Sequence, residues 1–336
     1  MRLAAFGLLA TLLTACSAPV PLAIGPAIQE PELLDDAMMS ADGARLIVRP
    51  TLPEGTDPQM ILVAVHGMND YGNFIRDAAR YFAKQGIATY AYDQRGFGDS
   101  PRKGRWYGRQ GMTDDLSVLV RLIASRHPGK PIYVLGESMG GAVTMLADID
   151  GKLPGVSGLI LSAPAVWGRS TMGFFPRNSL WIGGRLFPWF EATGEGLNIT
   201  PSDNIAMLRA LGRDPLVIKR TRIGTIYGLV DLMDEALDEA GNGTKPTLFL
   251  YGTKDEIIPP TPTCRALRQF KERHTSAPWR VAVYRDGYHM LLRDLGAEKV
   301  WADIATWMRD RSAALPSGAE ATDRPDTWPG CARAKP

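Results

Sequence analysis

The chain is predicted to form an α/β fold, with a mostly parallel central sheet flanked by helices and a helical cap inserted between sheet strands. Short apolar, β-branched segments alternate with segments of helical period. The alternation stops over residues 166–245 and then resumes. Buried strands that alternate with helices are typical of a parallel sheet covered on both faces. Reactive groups in such sheets lie just beyond the carboxyl ends of the strands.

The strands and helices are predicted from the residue types and the hydrophobic period of each segment. The predicted strands are residues 44–50, 60–67, 87–93, 131–137, 155–165, 245–252 and 280–286. The predicted helices are residues 73–86, about 113–126, a helix opened by Ser138, one from Thr261, and about 296–311. The expected domains are a core of residues 43–165 and 246–312, a cap of 166–245 and a tail of 313–336. The Pro- and acid-rich residues 16–42 show little periodicity, so we expect a tether there.

The N-terminus carries an apolar run from Leu3 to Leu13 that is too short to cross a bilayer and is typical of a signal peptide. The segment Leu13, Thr14, Ala15, Cys16 that follows resembles the lipobox of bacterial lipoproteins. This resemblance implies a signal peptide of residues 1–15, a lipid on Cys16 and a place in the bacterial cell envelope, on the outer membrane if the cell is Gram-negative. A soluble exported protein, or an ordinary N-terminal strand, is the alternative.

Charge and cysteine content exclude some functions. The chain has 38 Lys and Arg against 36 Asp and Glu, which gives no broad basic surface for nucleic acid. It has no CxxC or Cys/His cluster, so a structural zinc site has no candidate ligands. In an exported protein Cys264 and Cys331 are able to form a disulfide, and two free thiols are the alternative.

The segment GESMG, Gly136 to Gly140, fits the pattern G-x-S-x-G, in which a serine stands on a sharp turn from a strand to a helix. Flanking glycines are needed because side chains there would collide with neighbouring backbone. The pattern alone is weak. Here a predicted strand enters the turn and a helix leaves it, and the positive end of the helix dipole lies beside the serine. Ser138 is therefore a candidate nucleophile.

A serine hydroxyl is a poor nucleophile unless a base takes its proton, so a histidine is required. Of the four histidines, His66 precedes the serine, His127 ends a helix, and His274 stands at a charged helix end where we expect it to be solvated. His289 follows a predicted strand, near a glycine and late in the chain. By elimination, His289 is the candidate base.

The imidazolium that forms during catalysis needs a carboxylate to orient and stabilise it. Asp255 directly follows a predicted strand, where a group at the rim of the sheet should lie. Its neighbour Glu256 is an alternative. Asp286 and Asp294 are others, although both are very near His289 in sequence.

The segment VHGMNDYG, residues 65–72, is a candidate oxyanion loop. Acyl attack turns the carbonyl oxygen into an anion, and backbone N–H groups must point at it. One should come from Met139, the residue after the nucleophile, and the other from Met68 of this loop. Their role is in the backbone, so the side chains remain available for packing.

Five motifs in order resemble the monoacylglycerol lipase and lysophospholipase branch of the α/β-hydrolases, also grouped as serine aminopeptidase-like hydrolases. They are HGMND, YDQRGFGDS, GESMGG, GTKDEIIP and YHMLLRD, and the resemblance runs from about residue 40 to about 312. It implies the α/β-hydrolase fold. It also implies the following roles: a triad of Ser138, Asp255 and His289, and oxyanion donors Met68 and Met139.

Two segments of the chain, the DQRGFGDS run and the loop that follows HG, affect what the resemblance implies. In DQRGFGDS the resemblance implies a structural rather than catalytic role for Arg95. The family loop often continues from HG with a Gly- and Glu-containing run, whereas this chain has Asn69 and Asp70, so contacts near the oxyanion hole are expected to differ.

The cap contains six aromatic residues within a short stretch, namely Phe174, Phe175, Trp181, Phe187, Trp189 and Phe190. One interpretation is that they pack the cap onto the body, since aromatics are usually core. The other is an apolar acyl tunnel or a membrane-facing lip.

The sequence thus predicts a membrane-tethered serine hydrolase that cleaves carboxylic esters with an apolar acyl chain, such as monoacylglycerols or lysophospholipids, through an acyl-enzyme. This chemistry needs neither metal nor organic cofactor. A peptidase, an amidase or a cofactor-free haloperoxidase would use the same triad. A lipid-binding envelope lipoprotein without turnover is a further alternative, which the complete triad disfavours.

Overall fold

A computed structural model describes residues 18–196, 198–275, 277–321 and Cys331. The predicted signal peptide and Cys16 lie outside these residues. The strands are β1 (Glu32–Leu33), β2 (Ala37–Met39), β3 (Arg45–Thr51), β4 (Met60–Val65), β5 (Ile87–Tyr92), β6 (Ile132–Glu137), β7 (Val156–Ser162), β8 (Glu191–Ala192), β9 (Thr221–Arg222), β10 (Thr247–Gly252) and β11 (Trp279–Tyr284). The α-helices are α1 (Arg76–Lys84), α2 (Gly108–Arg126), α3 (Met139–Ile149), α4 (Phe174–Leu186), α5 (Ile205–Arg213), α6 (Ile223–Asp238), α7 (Pro260–Arg273) and α8 (Ala297–Arg309).

One sheet organises the body, with strand order β1-β2-β3-β5-β4-β6-β7-β10-β11. The six strands from β5 to β11 in this order run parallel, and β1 to β3 are antiparallel. In register, Val63 pairs with Tyr90 on one side and Val134 on the other. Every residue of β4, β5, β6 and β10 is buried, because helices cover both faces of the sheet. The predicted fold is confirmed.

Helix α2 begins at Gly108, earlier than the expected Thr113. Gly108 has a φ of 70°, a conformation that glycine adopts without strain. The two glycines of this first turn, Gly108 and Gly111, lower the helix propensity and hide the start of the helix.

The interpretation of residues 16–42 as a tether is wrong for the second half of that segment. Strands β1 and β2 lie there and join the sheet, and Ala37 and Met38 are fully buried. The buried Arg95 then fixes the segment, because its guanidinium donates to Asp42 and also makes two 2.8 Å bonds to Asp115. Strands of two or three residues are too short to show a period in the sequence.

Between β7 and β10 the chain forms α4, β8, α5, β9 and α6, the segment that the sequence assigns to the cap. The face of α6 that carries Val230, Met233 and Leu237 belongs to the same core cluster as Val143 of α3. The last part of this segment therefore packs into the body.

Cys331, near the carboxyl terminus, forms a disulfide with Cys264 of α7, and their Cα atoms are 5.5 Å apart. This pairing, which the sequence left open, attaches the tail to the body. Across the described ranges, no helix has both the length and the apolar character needed to cross a membrane.

Candidate active site

Ser138 stands on a strained turn between β6 and α3. Its φ of 54° and ψ of −117° lie in a region that non-glycine residues rarely adopt. A Cβ on Gly136 would lie 2.3 Å from the Gly140 carbonyl oxygen, and a Cβ on Gly140 would lie 2.1 Å from that of Val65. Both glycines are thus required by close backbone contact. The turn holds the Ser138 side chain at the carboxyl end of β6, partly exposed.

The structure brings Asp255 and His289 together. The Nδ1 atom of His289 lies 2.8 Å from a carboxylate oxygen of Asp255, and both residues are only 4% exposed. The other Asp255 oxygen accepts the N–H groups of Ile257 and Ile258, at 2.9 Å each. The carboxylate is therefore fixed by the turn that follows β10. With its proton on Nδ1, a neutral His289 has its free electron pair on Nε2.

The electrostatics of His289 suit a base. Burial alone would lower the pKa of this imidazole, but the charge of Asp255 and its hydrogen bond act in the opposite direction, helped by the charge of Glu137, and the pKa is raised. A raised pKa makes the neutral ring a stronger proton acceptor.

Glu137 and Arg293 connect the serine turn to the histidine loop. Arg293, four residues after His289, donates to Glu137 at 2.8 Å and to Asp70 at 2.7 Å. Because Glu137 precedes Ser138, this cluster places the serine and the histidine at the same rim of the sheet. Across the described residues, no hydrogen bond joins Ser138 Oγ to His289.

The oxyanion loop lies directly against the serine, since a Cβ on Gly67 would come 3.2 Å from Ser138 Cβ. Among the described residues, the N–H of Met68 donates to no acceptor. Met139 is the first residue of α3, and the first N–H groups of a helix have no partner within it. Both N–H groups are therefore free to bind an oxyanion, and their role as oxyanion donors stays a prediction.

The two residues of this loop that differ from the family pattern, Asn69 and Asp70, both have hydrogen-bond partners. Asn69 takes a φ of 65°, which asparagine tolerates, and its side-chain amide donates to Thr221 of β9 at 2.7 Å. Asp70 is buried and pairs with Arg293. Arg293 was not predicted as a site residue from the sequence. The motifs GESMGG, HGMND and YHMLLRD carry charges of opposite sign, but no spacing in the sequence pairs them.

The other histidines have structural partners. His66 is fully buried, accepts the Gln94 N–H at 3.0 Å and lies 2.7 Å from the Gly67 carbonyl oxygen. His127 contacts the Tyr90 hydroxyl at 2.7 Å. His274 is buried and 3.0 Å from a carbonyl oxygen, so the expectation that it is solvated is wrong.

The alternative acids are also engaged elsewhere. Glu256 accepts the Thr200 N–H at 2.7 Å, and Asp286 pairs with Lys254 on the surface. Asp294 accepts the Ser202 hydroxyl at 2.6 Å. Of the four carboxylates considered, Asp255 alone forms a hydrogen bond with His289 in the described part of the chain. No group of three or more His, Cys, Asp or Glu side chains that could hold a metal ion occurs in the described part of the chain.

A parallel sheet with a glycine-flanked serine turn and a histidine–aspartate pair at its carboxyl rim defines an α/β-hydrolase. The similarity to monoacylglycerol lipases makes it a carboxylic ester hydrolase. Residues 56–296 match the serine aminopeptidase S33 family, Hydrolase_4, and the chain belongs to that family.

Relatives carry lipase names. The chain is 27% identical to the monoacylglycerol lipase of Mycolicibacterium smegmatis over 79% of this chain and 93% of the relative. It is 24% identical to human monoglyceride lipase over 82% of this chain and 90% of the relative. Among solved structures, the monoacylglycerol lipase of Paleococcus ferrophilus has a TM-score of 0.65 at 21% identity, covering 80% of this chain and 99% of that one. A soluble variant of the Saccharomyces cerevisiae monoglyceride lipase, in complex with a substrate analog, has a TM-score of 0.67 at 20% identity, covering 88% and 100%.

Proposed function

We propose that the protein is a membrane-tethered serine hydrolase that cleaves esters with an apolar acyl chain, such as monoacylglycerols or lysophospholipids. The observation that carries the proposal is the buried Asp255–His289 pair at the rim that also holds the strained Ser138 turn. The lipase names of the relatives support the choice of substrate class.

In the proposed reaction His289 Nε2 removes the Ser138 proton while Oγ attacks the ester carbonyl carbon. The developing imidazolium is stabilised by Asp255, whose raising effect on the pKa of His289 favours the protonated ring at this moment. The N–H groups of Met68 and Met139 bind the oxyanion, and one such donor is worth roughly 2.7–4 kcal/mol of transition-state stabilisation.

The tetrahedral intermediate then collapses. Its C–O bond to the alcohol breaks, His289 delivers the proton to the leaving oxygen, and the acyl group remains on Ser138. Water, deprotonated by the same histidine, attacks the acyl-enzyme and releases the fatty acid. Apart from the ester and water, these steps use only groups of the chain.

We also propose that Cys16 carries the lipid that holds the enzyme on the envelope membrane. The lipobox-like segment supports this assignment. The Cys264–Cys331 disulfide supports export, because disulfides persist in oxidising compartments. Incorporation of radioactive palmitate should occur in the wild-type protein and disappear in Cys16→Ala.

The experiment for the activity is turnover across esters of rising acyl length, with a monoacylglycerol, a lysophospholipid and an aminoacyl amide included. We expect kcat/KM to rise with acyl length, and to fall at least about 10³-fold in Ser138→Ala. Ser125→Ala is the matched control, since Ser125 is an exposed serine of α2. A preference for the amide would replace the lipase proposal with a peptidase or amidase, the candidate that the family name favours.

A further inference from the structure

The Met68 N–H lies in a tight turn of the oxyanion loop. The Asp70 N–H donates to the Gly67 carbonyl oxygen at 3.4 Å, so Met68 and Asn69 are the two central residues of a β-turn. Asn69 has a φ of 65°, the positive value that the second central residue of a type II turn requires. Because the two residues share one turn, a contact that fixes Asn69 also restrains Met68.

Asn69 joins this turn to residues 214–222, which connect α5 to α6 and are called the cap segment below. Its side-chain amide donates to Thr221 Oγ1 at 2.7 Å, and its carbonyl oxygen accepts the Ile218 N–H at 2.9 Å. Thr221 is 9% exposed, so water competes little for its hydroxyl. The cap segment thus holds the turn through both the side chain and the main chain of one residue.

The bond to Thr221 fixes the orientation of the Asn69 side chain. In the part of the chain that the structure describes, Oδ1 of this amide is buried and has no hydrogen-bond partner. Loss of the Thr221 hydroxyl would leave the amide N–H unpaired as well, which is unfavourable in a buried position. We expect the turn to shift towards another partner when this hydroxyl is removed.

The residues that follow the turn have partners of their own. Asp70 pairs with Arg293 of the body at 2.7 Å, and the Tyr71 hydroxyl donates to Asp214 of the cap segment at 2.7 Å. The loop is therefore held between the body and the cap segment. Removal of the Thr221 hydroxyl leaves both of these contacts in place, so its effect is confined to the centre of the turn.

We propose that Asn69 and Thr221 are positioning residues for hydrolysis, and that their hydrogen bond lets the cap segment hold the Met68 N–H in place for the oxyanion. This inference rests on the proposed serine hydrolase function. Neither residue touches the ester, and both act through the main chain of Met68. Because the oxyanion forms only in the transition state, loss of the bond should lower kcat more than it raises KM.

Thr221→Val tests the proposal, because it removes the hydroxyl and keeps a β-branched side chain of similar shape. Loss of an oxyanion donor lowers kcat about 10²–10³-fold, and a donor that is held less firmly should lose part of that effect. For hydrolysis of p-nitrophenyl butyrate we expect kcat to fall about tenfold, with KM changed less than about twofold. Thr221→Ser keeps the hydroxyl and should restore kcat to within about threefold of wild type.

Thr225→Val is the matched control. Thr225, near the start of α6, is 3% exposed, and its hydroxyl donates to the Gly104 carbonyl oxygen at 3.0 Å. It therefore joins the cap to the body as Thr221 does, but at Gly104 and not at the oxyanion loop. Thr225→Val should leave kcat within about twofold of wild type. Urea unfolding shows whether the two valine variants lose comparable stability.

A trifluoromethyl ketone reports on the oxyanion directly. Ser138 Oγ adds to its carbonyl carbon, the serine proton passes to His289, and the ketone oxygen becomes an anion in place of the oxyanion of the reaction. Thr221→Val should raise the inhibition constant of this ketone by about the factor by which it lowers kcat/KM. Thr225→Val should change neither value.

Asn69→Gly shows whether the two residues act through one bond. Glycine adopts a positive φ without strain and keeps the carbonyl oxygen that accepts the Ile218 N–H, but it lacks the amide. Asn69→Gly combined with Thr221→Val should lower kcat no more than about twofold beyond the stronger single variant. Independent effects would instead multiply.

The inference is overturned if Thr221→Val and Thr225→Val have equal kcat values and ketone inhibition constants, or if Thr221→Ser is as impaired as Thr221→Val. A rise in KM without a fall in kcat, or effects that multiply in the double variant, would also overturn it. These outcomes leave the hydrolase proposal intact as long as Ser138→Ala is inactive. Turnover that persists in Ser138→Ala would refute the hydrolase proposal and the inference with it.

Discussion

The buried cluster of Arg293, Glu137 and Asp70 gives the sharpest stability prediction. The Arg293 side chain is 11% exposed, those of its partners are 3% and 9% exposed, and the two ion pairs measure 2.8 and 2.7 Å. Arg293→Met leaves two buried carboxylates without their counter-charge. Removal of one partner of a buried ion pair typically costs about 3–5 kcal/mol, and we expect Arg293→Met to lower the free energy of unfolding by that amount.

The effect should depend on pH. Burial raises the pKa of Glu137, while the charge of Arg293 lowers it, so removal of Arg293 raises this pKa further. A carboxyl group whose pKa is higher in the folded protein binds more protons there than in the unfolded chain. Stability then falls as pH rises from the unfolded pKa of about 4.3 towards the folded pKa. The loss caused by Arg293→Met should therefore be larger at pH 8 than at pH 5.

Urea unfolding at both pH values measures these differences. Glu137→Gln in the Arg293→Met background removes one stranded charge, and we expect it to recover at least about 1 kcal/mol at pH 8. Arg309→Met, at an exposed arginine that donates to Gln85, should stay within about 1 kcal/mol of wild type. Equal losses at pH 5 and pH 8, or no loss for Arg293→Met, would show that Arg293 does not compensate the two buried carboxylates.

Three further predictions concern the triad, the tail and the serine turn. Asp255→Asn should lower kcat about 10⁴-fold and move the acid limb of kcat/KM to lower pH, because it removes the charge that raises the pKa of His289; a pH–rate profile with an unmoved limb would contradict this. Cys331→Ser opens a disulfide that spans 67 residues and should lower the free energy of unfolding by about 4 kcal/mol. Denaturant titrations without reductant measure this difference, and added reductant should abolish it. Gly140→Ala places a Cβ 2.1 Å from a carbonyl oxygen and should lower the melting temperature strongly, whereas Gly212→Ala, with nothing within 4 Å, should not; equal melting curves would show that the turn tolerates a side chain.

The sheet could be predicted because its central strands are continuous apolar runs between turn signals. Strands β4 and β6 were placed within one or two residues. Asp255 was found for a related reason: it follows β10 directly, and the carboxyl ends of parallel strands meet at one rim.

The buried cluster of Arg293, Glu137 and Asp70 could not be predicted from the sequence, because its charged residues come together only in the folded structure. Arg293 is 223 residues from Asp70 and 156 residues from Glu137. Read singly, each is a charged residue beside a motif, and nothing in the sequence pairs them.

The orientation of α4 was not predictable either. Period identifies which residues share a helix face, but it does not say which face turns inward. In this structure the glycines identify the inward face of α4, because Gly184 packs on the Tyr227 ring. Because α4 and α6 approach closely through these glycines, the aromatic residues of α4 lie on its outer face, although aromatic residues are usually buried.

Ser138 is the proposed nucleophile of this hydrolase. The most direct measurement is mass spectrometry of the folded protein after reaction with a fluorophosphonate probe. We expect one adduct, located on Ser138 within GESMGG and absent from Ser138→Ala, with slower labelling in His289→Ala. No adduct on the folded protein, or equal labelling after Ser138→Ala, would contradict it.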